Sequence, residues 1–157
     1  MILMSYVYYK TPWCGLKITQ QDGCLCKVDF VDRITSTQTT QDNVLKMVIK
    51  QIRQYRVDSE FVFNLPFNLQ GTDFQHRVWA ALQQIPAGQV KTYGELATAL
   101  ASSPRAVGNA CRHNPLPLVI PCHRVVSAQG IGGFAGQRAG QKISIKERLL
   151  HHEGVEF

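Results

Sequence analysis

Short β-prone apolar pieces occupy the first part of the chain, and apolar residues at helical spacing occupy most of the rest. Tyr6-Val7-Tyr8-Tyr9, Leu16-Lys17-Ile18 and Val28-Asp29-Phe30-Val31 predict strands, separated by turn signals at Gly15 and Asp22-Gly23. The opening stretch from Met1 to Val7 lacks the cationic start of a signal peptide and reads as a strand. Between Asp42 and Tyr55, Val44, Leu45, Met47, Val48 and Ile52 follow helical spacing, which predicts one amphipathic helix. Pro66 to Gly71 marks a boundary. The expected organisation is an N-terminal α/β domain over 1–70 and a second domain over 71–157.

The second domain predicts as mostly helical. Thr72-Asp73-Phe74-Gln75 is a capping box, followed by Phe74, Val78, Leu82 and Ile85 on one stripe and stopped by Pro86-Ala87-Gly88. Thr92-Tyr93-Gly94-Glu95 opens a second helix through Leu100. Pro104 suits the first position of a third, which Asn114-Pro115 ends. Two short helices joined by a tight turn, the second carrying Arg105 and Arg112, describe a helix-turn-helix, so the fold class is α/β with a helix-turn-helix (winged-helix-like) second domain.

Composition narrows the function classes. At 45% hydrophobic residues the chain can bury a core, and no apolar run approaches a membrane span. Five cysteines are an odd number and make no disulfide framework, which points to a reducing, cytoplasmic setting. The net charge is +6, and residues 72–157 hold nine Lys/Arg against five acids, which fits a nucleic-acid partner on that half. Cys14, Cys24 and Cys26 are one ligand short of a structural zinc set, with no histidine before His76. No metal or organic cofactor is expected.

Ile120-Pro121-Cys122-His123-Arg124-Val125 carries the candidate chemistry. A thiol becomes a strong nucleophile as thiolate, and an imidazole is the usual group that takes its proton. The ordinary alternative is an inert core thiol. Successive side chains of a strand point to opposite faces, so a turn or a bridging water has to connect Cys122 with His123. Glu147 lies downstream in Ser144-Ile145-Lys146-Glu147, which is also a capping-box pattern.

From about Gly71 to Glu153 the chain resembles the O6-alkylguanine-DNA alkyltransferases. The resemblance runs through Gly88-Gln89-Val90-Lys91-Thr92-Tyr93-Gly94-Glu95-Leu96-Ala97, Arg105-Ala106-Val107-Gly108, Asn114-Pro115, Pro121-Cys122-His123-Arg124 and Lys146-Glu147-Arg148-Leu149-Leu150. It implies that Cys122 accepts the alkyl group, with His123 reached through a water and Glu147 holding the imidazole. Asn114 would be a hinge, and Tyr93 would crowd the phosphate beside the target and protonate the leaving guanine. Arg105 would fill the stack behind an extruded nucleotide, with Ala106 and Gly108 allowing close minor-groove approach. Arg112, Arg124 and Lys91 are the expected phosphate contacts. The implied activity is a single-turnover transfer from O6-alkylguanine, and to a lesser extent O4-alkylthymine, in double-stranded DNA to a monomeric protein.

The chain departs from the family's usual pattern at Gly133-Phe134-Ala135-Gly136, where a tyrosine often follows the glycine, and in a longer segment from Gln137 to Ile145. Rival readings are a lesion-recognition protein that accepts no alkyl group, a helix-turn-helix regulator and a Cys-His hydrolase. Relatives of the first kind replace the acceptor cysteine. The second would want sequence-specific contacts, and the third an oxyanion turn.

Overall fold

The computed structural model describes residues 3–32, 34, 36–137 and 140–156, and the chain divides into two compact units, Met1–Gln70 and Gly71–Phe157. In the first, β1 (Met4–Lys10), β2 (Gly15–Gln21) and β3 (Cys24–Val31) form an antiparallel sheet in that order. Met1 and Ile2, read as part of the first strand, lie outside the described residues. Asp22 and Gly23 join β2 to β3 with φ of 50° and 82°, the paired left-handed geometry that makes Asp-Gly a two-residue hairpin signal.

Helix α1 (Asn43–Val57) closes this unit. Its buried Leu45, Val48, Ile49, Ile52 and Tyr55 share a core with Val7, Leu16, Ile18, Leu25 and Val28 of the sheet. Asp42 caps the helix through Val44 and Leu45 N–H, and its second oxygen accepts from Ser5 Oγ at 2.6 Å and Gln20 Nε2 at 2.8 Å. One carboxylate therefore both starts the helix and fixes it to the sheet.

In the second unit α2 (Asp73–Gln83) starts at the Thr72/Gln75 capping box and buries Val78, Trp79 and Leu82. Trp79 Nε1 donates to the carbonyl of Ala110 at 2.9 Å, tying α2 to α4 (Pro104–Arg112). Helix α3 (Tyr93–Ala99) precedes α4, and their connection is a Schellman turn: Ser102 N–H bonds Ala97 O and Ala101 N–H bonds Thr98 O. Ala101 holds the left-handed position with φ 52°, a place that favours glycine.

Two-residue strands β4 (Lys91–Thr92) and β5 (Val125–Val126) pair in parallel, Lys91 with Val125 and Thr92 with Val126. That pairing seats the start of α3, and so Tyr93, beside the segment that follows Cys122. The last helix, α5 (Gln141–His152), follows Gly140 and begins three residues before the capping-box pattern at Ser144. Ser144 and Glu147 are thus interior helix residues. Within the longer segment from Gln137 to Ile145, residues 138 and 139 lie outside the described ones, and 141–145 are already helix.

Candidate active site and nucleic-acid interface

Pro121, with ψ of 65°, breaks the extended path, and Cys122–Arg124 turn as a single 3-10 coil closed by Arg124 N–H to Pro121 O. A strand would have sent Cys122 and His123 to opposite faces; the turn buries both. Asn114 braces the approach. Its Nδ2 donates to Ile120 O and its Oδ1 accepts from Leu116 N–H, both at 2.9 Å. Burial pushes the Cys122 thiol above its ordinary pKa, while the hydrogen bond from Asn114 and the charge of Lys146 oppose that rise. The resting sulfur is therefore a neutral thiol that needs a base.

His123 is fully buried. Its Nε2 lies 2.8 Å from Glu153 Oε2, and its Nδ1 has no hydrogen-bonding partner among the described residues. Burial would raise the Glu153 pKa, but the hydrogen bonds and charges of His123 and Arg124 hold it well below the carboxylate range. An ionised carboxylate only accepts, so Nε2 carries the proton and Nδ1 keeps its lone pair. Burial also pulls the His123 pKa down, against the opposing pull of Glu153, which keeps the ring neutral and available as a base.

Glu153, not Glu147, is the acid on the imidazole. Glu147 is exposed, because it sits about 100° around α5 from the buried stripe of Lys146, Leu149, Leu150 and Glu153. The role read for Arg124 also changes. Its Nε and Nη2 clasp Glu153 at 2.8 and 3.0 Å and its Nη1 donates to Ile85 O at 2.6 Å. With that many internal partners and 12% of its side chain exposed, it is a clamp inside the fold rather than a phosphate contact.

Lys146, one residue of the Lys-Glu-Arg-Leu-Leu motif, has a place at the site that its sequence does not signal. Its fully buried ammonium donates to Val125 O and Ile131 O at 2.6 Å and to Gly133 O at 2.9 Å. Burial lowers its pKa to about 8, with the charges of Cys122 and Cys111 opposing. Tyr93 Oη donates to the same Gly133 carbonyl at 3.3 Å, and burial followed by the charges of Cys111 and Cys122 raises its pKa. Gly132 needs its missing Cβ here. Its φ is +76°, and a methyl would sit 3.0 Å from Ser127 N and 3.2 Å from the Tyr93 ring.

A cavity of about 970 Å³ opens above this floor, lined by Tyr93, Arg105, Cys111, Cys122 and Phe134 among others. Helix α4 forms one wall. It buries Val107, Ala110 and Cys111 and leaves Arg105, Asn109 and Arg112 exposed, with Ala106 and Gly108 half-buried. A Cβ on Gly108 would meet the Tyr93 ring at an ordinary 3.9 Å, so this glycine is not sterically required. Burial and the nearby Cys122 push the Cys111 thiol up to about 12, which favours its neutral form beside the candidate nucleophile. Lys91 is exposed on β4. The structure thus brings Cys122, His123, Asn114, Tyr93 and Arg105 to one cavity or its floor, adds Glu153 and Lys146, and leaves Glu147 outside.

Residues 73–155 match the family model for the 6-O-methylguanine DNA methyltransferase DNA-binding domain. The chain is 32% identical to a methylated-DNA–protein-cysteine methyltransferase of Saccharolobus solfataricus, with 99% of each chain covered. It is 35% identical to the constitutive enzyme of that name from Bacillus subtilis, covering 97% and 96%. Among solved structures, the O6-methylguanine methyltransferase of Mycobacterium tuberculosis superposes with a TM-score of 0.81 at 30% identity, covering 96% of this chain and 93% of that one. The Mycobacterium tuberculosis OGT in complex with DNA gives 0.79 at 31%, covering 95% and 92%. A buried His123–Glu153 pair that follows Cys122 in the helix-turn-helix unit, the family model over residues 73–155 and relatives matched over nearly the whole chain at this identity mean that the protein belongs to the methylated-DNA–protein-cysteine methyltransferase family.

Proposed function

We propose that this protein repairs O6-alkylguanine, and more slowly O4-alkylthymine, in double-stranded DNA by taking the alkyl group onto Cys122. One observation carries the reading: Cys122 lines a cavity walled by the second helix of the helix-turn-helix, and the next residue in the turn is a buried imidazole whose orientation a buried carboxylate fixes. A lesion atom inside a duplex is out of reach of such a cavity, so the nucleotide must be extruded, at a cost of a few kcal/mol. Arg105 at the start of α4 fills the gap it leaves in the stack, and its planar guanidinium suits that place. Ala106 and Gly108 let α4 approach the minor groove closely, and Arg112 and Lys91 meet phosphates.

The thiol proton passes through a bridging water to His123 Nδ1, and Glu153 stabilises the imidazolium, the logic of a hydrolase triad. The buried Lys146 ammonium favours the thiolate. Sulfur attacks the alkyl carbon, the S–C bond forms as the C–O bond to guanine breaks, Tyr93 turns its hydroxyl from Gly133 O to protonate the departing guanine, and the proton taken by His123 returns through water to the tyrosinate. The net exchange is a thiol proton for an alkyl group. A thioether offers no good leaving group, so each molecule acts once, with no metal or organic cofactor required. We take the protein to work as a cytoplasmic monomer; among the described residues no helix is long and apolar enough to cross a membrane.

The experiment is intact mass after incubation with a duplex holding one O6-methylguanine. A gain of one methyl per protein, mapped to Cys122 and absent in Cys122→Ser, is expected. Repair of more than one lesion per molecule, or a methyl on Cys111, refutes the mechanism.

A further inference from the structure

Helix α1 has a charge distribution that its own unit does not use. Lys46, Lys50, Arg53 and Arg56 stand in its fifteen residues, and no acid does. The whole of residues 1–70 nets only +2, so the remainder of that unit is negative while the helix is strongly positive. Lys46 and Lys50 are four apart, and Lys50, Arg53 and Arg56 follow at intervals of three. These are the spacings at which like charges on a helix repel. None of the four forms an ion pair among the described residues. A stability requirement alone would have placed acids among them.

The cations line a groove. Lys46, Lys50 and Arg53 line a cavity of about 930 Å³ together with Thr37, Thr39 and Phe61. Arg53 is steadied by Tyr9, whose hydroxyl accepts from its Nε at 3.3 Å. The one acid on the rim, Asp58, is engaged locally by the Glu60 N–H. Along the axis Lys46, Lys50 and Arg53 are spaced by about 6 Å and about 4.5 Å, a row of point charges suited to a linear polyanion. A concave, cationic trough with hydroxyl donors and an aromatic ring is the arrangement that tracks a single strand, with phosphates on the cations and a base on the ring. A duplex backbone is convex and would meet only the rim.

We propose that this groove is a second nucleic-acid contact, which takes a single-stranded stretch of phosphodiester backbone through Lys46, Lys50 and Arg53 and stacks a base on Phe61. The inference rests on the DNA-repair reading and adds a strand contact remote in sequence from the helix-turn-helix.

The test compares full-length protein with K46Q/K50Q and K46E/K50E on a blunt duplex and on the same duplex carrying a thymidine tail, across a salt series. The wild type is expected to bind the tailed duplex about tenfold more tightly, with a steeper salt dependence of about 0.7 per single-strand phosphate engaged. Both variants should lose that increment while keeping blunt-duplex affinity, thermal midpoint and transfer from free O6-benzylguanine. An increment that is absent in the wild type, or retained in the neutral variant, overturns the proposal. Stronger, lysine-dependent binding to phosphatidylserine vesicles than to the tail overturns it in favour of a membrane surface. A wild type that binds the tail but transfers nothing from O6-benzylguanine would instead refute the repair reading and leave the groove standing.

Discussion

Glu153→Gln and Glu147→Gln together separate the acid that serves the imidazole from the one that merely follows it in sequence. Glu153 accepts three charge-assisted or buried hydrogen bonds, one from His123 and two from Arg124. Glutamine keeps the shape but loses the charge and presents an amide donor to one of those donors. A buried ion pair broken from one side costs about 3–5 kcal/mol, and retaining one carbonyl acceptor reduces that to roughly 2–4 kcal/mol. The melting midpoint should then fall by about 10 °C. The chemical effect comes through the tautomer: without an obligate acceptor on Nε2, the ring no longer presents a lone pair at Nδ1. A loss of about 100- to 1000-fold in the transfer rate corresponds to about 2.7–4 kcal/mol of barrier. Glu147 is exposed, so Glu147→Gln should stay within about 0.5 kcal/mol in stability and leave transfer unchanged. Single-turnover quench with O6-benzylguanine, read beside thermal melts, gives both numbers. Equal losses for the two variants, or an E153Q protein within twofold of wild type, would refute the relay.

Arg105→Ala should slow transfer from duplex by roughly 1–3 kcal/mol in effective barrier yet spare free O6-benzylguanine, because only the duplex needs extrusion; equal losses on both would implicate the fold. The transfer rate should hold at its neutral value to below pH 6.5, since burial lowers the His123 pKa and protonation there removes the base; an acid limb centred at or above 6.5 would contradict the neutral ring. The same shift makes the folded state lose stability as pH falls below 6.5, where the unfolded chain binds the proton first. Lys146→Met should remove the donor to three carbonyls and lower stability by about 3 kcal/mol or more, together with transfer; a melt within 1 kcal/mol of wild type would show those carbonyls find other donors. Ala101→Gly relieves a left-handed residue and should raise stability by about 1 kcal/mol with transfer intact, as a chemical melt would show.

Much of the fold was legible where local chemistry decides it. The Asp22-Gly23 hairpin and the capping boxes at Thr72 and Thr92 all appear with the geometry their residue types demand, because each is closed within a few residues. The site was legible to the extent that it lies in the Pro-Cys-His-Arg turn. Glu147 drew attention because Ser144 to Glu147 imitates a helix start, whereas the phase of α5 decides the matter. Lys146, Leu149, Leu150 and Glu153 fall at intervals of three or four on one stripe, so a charge at each end of an apolar face was the available signal. Arg124 could not be placed from sequence. A 3-10 turn has no periodicity to say which way a side chain leaves it, and its partners, Ile85 and Glu153, are far along the chain. The convergence of Val125, Ile131 and Gly133 carbonyls on one ammonium is likewise a tertiary fact with no local code.

Helix α5 and its C-cap supply Lys146 and Glu153, the two charged groups on which the proposed transfer relies. Whenever α5 detaches in a local opening, the imidazole loses its orienting carboxylate and the loop around Gly133 loses its cation at the same moment. Reactivity is thus conditional on the docking of one helix, and a half-assembled molecule holds a sulfur that stray electrophiles find inert through this relay. For a protein that can be used only once, that coupling acts as a safety catch: the single shot is armed last. The alkylation rate of Cys122 by a free-base substrate consequently doubles as a clock for α5 docking, readable during refolding without any spectroscopic label.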